Sequence, residues 1–595
     1  MLFGKRINKY YLKYAPMLLL GIVALVVVDY LQLIVPELYR TVVNGLNDGT
    51  ITEASGQVAA FDMDYLLDKV CLPFIGIIVS IVCGRFAWRM CFFGAGIKVE
   101  ADIRGEMFDR CKDLSQQFYQ LNKVGNLMSL FTNDLDTVQN CFSSGILMFC
   151  DALFLGILAL MKMLNMNIVL ALLSMIPMAI LLAVGLIIGK YMTLKWERRQ
   201  EAFSKLSDFS QESFAGIAVI KAFVKEGKEL AAFKKLNKLN EDTNVEYTKL
   251  SVTLNIFVTL LVESVVCVIL GYGGYLVYRG VFNAGQLVEF IGYFTSIVWP
   301  VMAISELINM HSQGKASLNR ITDLLEAPIE VKDSDRVYDM DTIRGDIEFK
   351  HLTFRYPGGE YDVLQDVSFK ISAGENVGLI GRTGSGKTTV VDLLLRTYNV
   401  PDGTIFLDGR DINTIPIKTT RKFCAYVPQD NFLFSDTIEN NIEFASDDGG
   451  LNEAVNAAKY AAVDDNISEF SHGYDTVLGE RGVTVSGGQK QRISIARALM
   501  KNASILILDD SVSAVDVKTE KQILKNLREI RRGKTTILIA HRVTTIESMD
   551  KIIFIDDGKM LAVGTHEELY KSCPEYKLTV DLQRLEDENG GAQNA

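Results

Sequence analysis

Six long apolar runs occupy the first half of this 595-residue chain and leave it few folds to choose from. They lie at about residues 16–36, 70–94, 141–164, 168–192, 252–278 and 287–310. Each is long enough to cross roughly 30 Å of hydrocarbon, which takes about 20 helical residues. Lys5, Arg6, Lys9 and Lys13 precede the first run as they would in a signal peptide. That run is too long for a signal h-region and no A-x-A-like site follows it, so it reads as a membrane helix.

The loop after the first run carries Asp48, Glu53, Asp62 and Asp64 and few basic residues. The positive-inside rule therefore puts the basic N-terminus in the cytoplasm and this loop outside. Six spans return the chain to the cytoplasm before Gln313. The long connections at about 97–139 and 195–249 are rich in charge, with apolar residues at helical spacing, and predict helices that continue well beyond the bilayer.

Asp29, Arg85, Arg89, Asp151 and Glu263 lie within the spans. Ionisable groups there face a bundle interior or a wet cavity. An acidic cavity favouring cationic, amphipathic cargo is one reading, and interhelical hydrogen bonding is the other.

A composition of 49% hydrophobic and 22% charged residues fits a chain with one part in lipid and one in water. The net charge of -11 argues against a nucleic-acid binder, which shows a basic face. Nine cysteines without a C-x-x-C pair read as reduced packing residues.

After about Ser334 the pattern changes to short strands and amphipathic helices, an α/β domain. Residues 346–354 predict a strand, and 375–380 another. The second leads into Gly381-Arg382-Thr383-Gly384-Ser385-Gly386-Lys387-Thr388, a P-loop in its strand–loop–helix setting, with Thr389 following. The glycines let backbone N–H groups close around phosphate, and the helix presents its positive end. Lys387 would reach the β- and γ-phosphates, and the Thr388 hydroxyl would hold Mg²⁺. Residues 504–508 form an apolar strand ending in Asp509, where a second Mg²⁺ ligand is needed.

Between these lies Val485-Ser486-Gly487-Gly488-Gln489-Lys490-Gln491-Arg492, which resembles the signature motif of the ABC ATPases. Tyr356 matches the residue that stacks on adenine in that family, and Gln429 the Q-loop residue, catalytic and Mg²⁺-contacting. Ser513-Ala514-Val515-Asp516 matches the D-loop, His541 the switch histidine, and Gly479-Glu480-Arg481-Gly482 the X-loop of exporters. The resemblance covers the membrane half as well. Residues 118–136, 211–217 and 221–223 resemble the two intracellular loops of ABC exporters, whose short coupling helices press on the ATPase domains. A membrane domain at 1–312, a linker at 313–338, an ABC domain at 339–582 and a disordered tail at 583–595 are expected.

The resemblance implies a half-transporter in a bacterial plasma membrane, its ATPase domain cytoplasmic. It would bind ATP and Mg²⁺ and move amphipathic small molecules outward. ATP would lie between two ATPase domains, with Ser486, Gly487, Gly488, Gln489 and Asp516 serving the site shared with a second half-transporter. Lipid or peptide export, uptake on an exporter fold, or an ATP-gated regulator would share the same motifs.

One position departs from the family. Asp510 stands where a glutamate follows the Walker B aspartate and polarises the attacking water. General-base catalysis contributes about 10²–10⁴-fold. A carboxylate shortened by one methylene falls about 1.5 Å short. Asp510 therefore predicts a slow site, and with it a heterodimer whose partner carries the glutamate.

Overall fold

The computed structural model describes residues 5–52, 58–446, 449–479, 482 and 484–592. The chain divides into two compact units. One comprises Met1–Lys112 with Val124–Ala327, and the other Asp113–Lys123 with Pro328–Ala595. Glu53 of the expected outer loop, Glu480 and Arg481 of the expected X-loop, and residues 593–595 lie outside the described residues.

The first unit is a bundle of long helices: α1 (Ala15–Asp48), α2 (Leu72–Asp113), α3 (Ile146–Met166), α4 (Ile168–Ala215), α5 (Glu226–Tyr278) and α6 (Ala284–Glu326). Five helical runs are long and apolar enough to cross a membrane, and α4 adds the apolar stretch Ile168–Ile180 among the described residues. With 48 and 53 residues, α4 and α5 reach about 70–80 Å at 1.5 Å per residue, far more than hydrocarbon alone requires. Local chemistry sets the ends. Asn167 is extended at φ -161° and its side chain accepts from Leu170 N, so α3 stops and α4 starts around one residue. Asn283 and Gln286 form a reciprocal capping box at the start of α6. In the connection between α1 and α2, β1 (Thr50–Thr52) pairs antiparallel with β2 (Val58–Ala60).

The helix of the first apolar run outlasts that run, which closes at about Pro36. The helix continues to Asp48, and Pro36 is buried against α6. There Gly292 provides the room, since a Cβ at 292 would stand 2.8 Å from Pro36 Cβ and Cγ. Proline is tolerated within such helices where a neighbouring helix packs closely. The same α1–α6 seam carries a hydrogen bond from Gly285 N to Asn44 Oδ1, at 2.9 Å. It also carries a polar layer in which Arg40 pairs with Glu289 at 2.9 Å and Tyr293 donates to Glu289 at 2.9 Å and to Glu37 at 3.2 Å. Beneath that layer Phe290, Phe294 and Ile297 of α6 pack with Leu155, Ala159 and Met163 of α3 and Leu33 of α1.

The second unit holds two sheets. The larger has the order β12-β11-β5-β10-β9-β8, with β5 (Asn376–Ile380), β8 (Cys424–Val427), β9 (Ile505–Asp509), β10 (Thr535–Ile539) and β11 (Lys551–Asp556) parallel and β12 (Lys559–Gly564) antiparallel at the edge. The smaller is antiparallel, ordered β4-β3-β6-β7 from β3 (Ile347–Phe354), β4 (Leu364–Ile371), β6 (Ile405–Leu407) and β7 (Arg410–Asp411). Strands β5, β9 and β10 are buried almost throughout because both faces are covered. The helices that position the site are α7 (Lys387–Leu394), α8 (Gly487–Met500), α9 (Val517–Ile530) and α10 (Pro574–Ala592).

Two expected boundaries move. Residues 313–326, assigned to a linker, continue α6, because Leu318, Ile321 and Leu324 keep one buried face beneath a polar exterior. The expected disordered tail is helical from 583 to Ala592, since Tyr576, Val580 and Gln583 continue one anchored face of α10. Among the described residues no disulfide links any of the nine cysteines.

Candidate active site

Sheet register gathers the candidate residues along one edge. Ile539 pairs with both Leu379 and Asp509, and Val427 pairs with Leu508. Strands β5, β10, β9 and β8 therefore end level, and the loops bearing Gly381, His541, Asp510 and Gln429 leave from the same side. The carboxyl edge of a parallel sheet is where α/β folds bind ligands.

The loop from Gly381 turns back through Gly384 at φ +83° and Gly386 at φ +97°, a left-handed path that favours glycine. Gly386 is the N-cap of α7, so the helix opens directly at the loop. Lys387, 6% exposed, donates to Gly381 O at 2.9 Å and Arg382 O at 2.8 Å, which holds its amine across the loop. Burial keeps its ammonium below the usual range, against the pull of Asp509, Asp510 and Asp556. The buried Ser385 Oγ has no partner, a polar atom suited to a phosphate oxygen.

Asp509 closes β9 at 2% exposure. Burial lifts its carboxyl above the usual range, while hydrogen bonds from Thr388 and Tyr426 oppose the rise. A buried carboxylate beside a hydroxyl is the donor set a hard divalent cation takes. Asp510 follows at φ +44°, its backbone N donating to Ile539 O at 3.0 Å. Its carbonyl accepts from Ser513 Oγ at 2.9 Å and is reached by Gln491 Nε2 at 3.5 Å. Gln429 is exposed beyond β8.

Tyr356 follows β3. Its hydroxyl bonds Thr389 Oγ1 at 2.8 Å, and its ring meets Phe354 and Tyr398 edge-on at 5.2 and 5.0 Å. The Tyr398 hydroxyl in turn donates to Gln120 Oε1 at 2.7 Å. Gln120 belongs to the short helix Gln116–Leu121, within the only part of the first 327 residues that groups with the second unit.

Ser486 caps α8 in a box with Gln489. Its Oγ accepts from Gln489 N at 3.2 Å, and Gln489 Oε1 accepts from Ser486 N at 2.9 Å. Gly487 is exposed and Gly488 half-buried in the first turn of α8, the end of a helix that favours an anion. Gln491 Oε1 accepts from Ala514 N at 3.1 Å, which ties this helix to the loop after Asp510. Asp516 caps α9, accepting from Lys518 N and Thr519 N at 3.1 and 3.0 Å.

Two contributors escape a reading by motif: Tyr398 and Gln583. Gln583 of α10 donates to His541 O at 2.7 Å and accepts from Val543 N at 2.8 Å, so it clamps the loop that carries His541.

Residues 18–301 match the family described as ABC transporter transmembrane region, and residues 364–513 the one described as ABC transporter. The probable multidrug resistance ABC transporter ATP-binding/permease protein YheI of Bacillus subtilis is 36% identical over 591 residues, covering 98% of this chain and 97% of that protein. The multidrug resistance-like ATP-binding protein MdlA of Escherichia coli is 33% identical and covers 95% and 94%. An ATP-dependent lipid A-core flippase of Syntrophus aciditrophicus is 31% identical and covers 87% and 86%. Among solved structures, a bacterial Atm1-family ABC exporter with ATP bound superposes with a TM-score of 0.78 over 97% of this chain and 98% of that one, at 26% identity.

Proposed function

The chain belongs to the ABC transporter family as an exporter half-transporter whose ATPase activity is coupled to transport, and from that premise we propose that it moves amphipathic small molecules out of a bacterial cell together with a second half-transporter. The observation that carries this reading is the grouping of residues 113–123 with the ATPase unit while both flanks are bundle helices. Through Gln120, Tyr398 and Tyr356 that segment touches the wall on which adenine would stack.

Backbone N–H groups from Gly381 to Gly386, Ser385 Oγ and Lys387 would hold the ATP phosphates, with Thr389 bracing Tyr356. Thr388, Asp509 and Gln429 would hold Mg²⁺, which neutralises charge on the phosphates when bound. Asp510 would orient the attacking water and His541 the γ-phosphate, while Ser486–Gln489 and Asp516 would complete the partner's site. The short carboxylate of Asp510 makes its own site slow, and a glutamate-bearing partner makes the other fast. Closure around ATP would pull on Gln116–Leu121 and turn the cavity outward. The ATPase domain faces the cytoplasm in this scheme.

The relatives named for multidrug resistance support an amphipathic cargo, and the flippase relative makes a lipid the second reading. Inside-out vesicles from source cells with and without this chain distinguish them. ATP-driven uptake of an amphipathic dye, lost in Lys387→Ala, is expected. Movement of labelled lipid without dye uptake would replace the cargo assignment.

A further inference from the structure

Residues 328–338, the part of the expected linker that is not helical, are bonded rather than slack. Just past the end of α6 at Glu326, Glu330 O accepts from Asn399 Nδ2 at 2.8 Å. Lys332 O then accepts from Arg396 Nη2 at 3.4 Å. Asp333 Oδ1 accepts from Ile417 N at 2.9 Å, at the start of the helix Ile417–Phe423. The Glu330 carboxylate also accepts from Ser115 Oγ at 3.3 Å, so both stretches that leave the bundle reach one corner of the second unit.

That corner is the turn that ends α7. Arg396 N donates to Leu393 O at 3.1 Å and Thr397 N to Asp392 O at 2.8 Å, a helix stop usually built on glycine. Arg396 adopts φ +51° there, so an arginine bears strain that glycine would avoid. The residue is also only 3% exposed, and its Nε has no partner. Nη1 donates to Ile412 O at 3.3 Å and Nη2 to the linker at Lys332 O, and no carboxylate among the described residues is ion-paired with the guanidinium. A strained backbone and a buried cation both count against stability. What the side chain secures is a hold on two neighbouring segments, one of them the linker. Arg421 fixes the same turn, donating from Nε to Leu395 O at 3.0 Å and from Nη2 to Arg396 O at 2.8 Å.

We propose that residues 330–333 form a strap that carries movement of the phosphate loop into α6, with Arg396 as the positioning residue that holds the strap to α7. The proposal rests on the reading of Gly381–Lys387 as the phosphate loop. Helix α7 opens at that loop and is 8 residues, about 12 Å, long, so it moves as one piece. A shift of Gly386 as the loop closes on phosphate therefore reappears at Arg396 and Asn399. From there it enters the strap, which joins α6 through Ala327, Pro328 and Ile329 alone. Pro328 stiffens that joint. The route runs beside the Gln120 contact, lies within one chain and needs nothing from a second half-transporter.

The full chain in lipid nanodiscs is mixed with MgATP, and amide exchange is followed by mass spectrometry at α7 and, separately, at residues 311–326 of α6. In the native chain ATP should change exchange at both. Arg396→Gly suits the backbone and removes the guanidinium, and Asn399→Ala removes the second bond. In that double variant protection at α7 should persist, while the ATP-induced change in α6 shrinks about threefold or more, the scale on which single links shift coupling. Inserting Gly-Gly-Ser after Pro328 keeps every bond of the strap, adds slack and should shrink it equally. A native-sized α6 response in either variant overturns the proposal, and so does a native chain that answers ATP at α7 but not in α6. Loss of protection at α7 in the double variant would assign Arg396 to the nucleotide pocket and overturn the strap. If the double variant does not fold, the insertion decides. A native chain without ATP protection at α7 would overturn the phosphate-loop reading, and the strap with it.

Discussion

The hydroxyl of Tyr398 donates to Gln120 Oε1 over 2.7 Å, while its ring meets Tyr356 edge-on with centroids 5.0 Å apart. One side chain thus touches both the segment returning to the helical bundle and the aromatic wall of the nucleotide site. Tyr398→Phe keeps the ring and removes the bond, worth about 1 kcal/mol. Cargo-stimulated ATP hydrolysis should fall about fivefold while the KM for ATP stays unchanged. Phosphate release with and without cargo measures both.

Asp510 occupies left-handed backbone at φ +44°, a region aspartate adopts more readily than most residues. Replacing it with glutamate restores carboxylate reach at a small conformational penalty. Asp510→Glu should raise single-site ATP cleavage about 10²-fold, within the general-base range, and lower the melting temperature slightly. Single-turnover hydrolysis in the presence of the partner provides the measurement. No gain would show that Asp510 is already an adequate base.

Gln583 bonds the backbone on both sides of Arg542, at His541 O and Val543 N. Gln583→Ala leaves the buried Val543 with an unmet donor, a loss of about 1–3 kcal/mol. A melting point a few degrees lower is expected, together with slower ATP turnover as the His541 loop loosens. Removing residues after 585 should change neither, which calorimetry and a turnover assay would confirm.

Burial pushes the Asp392 carboxyl of α7 up to about 6, helped by neighbouring Asp509. Its folded value lies above the unfolded one, so the fold prefers the protonated form. The resulting destabilisation is complete above about pH 6 and vanishes below the unfolded value near 3.8. Asp392→Asn should therefore stabilise the nucleotide-free chain by about 1–3 kcal/mol at pH 7.5, with the advantage shrinking as pH falls toward 4. Denaturant melts in chelator across that range test the sign.

The candidate nucleotide site is legible as a set of motifs because each is local: Gly381–Thr388, Ser486–Gln489 and Asp509 each sit in one short stretch with a strand or helix beside it. The strand order that brings those stretches together could not be read from spacing. What stayed hidden depends on pairs distant in sequence. Gln583 looked like part of a polar tail until its bonds to residues 541 and 543 were visible. Leu318, Ile321 and Leu324 are diluted by polar neighbours, so the end of α6 resembled a linker. The spans are found by hydropathy, yet hydropathy cannot say that Asp29 and Asp151 line one cavity while Glu263 stands outside it.

Pro36 and Gly292 occupy one space between α1 and α6, where only a residue without a side chain leaves room for the ring. The two positions behave as a single heritable unit. Alanine at 292 would collide with the proline, whereas a change at 36 would release 292 to vary. Among descendants of this sequence the pair should co-vary, with glycine surviving at 292 wherever proline persists at 36. That correlation would be visible in genomes long before any second structure is determined.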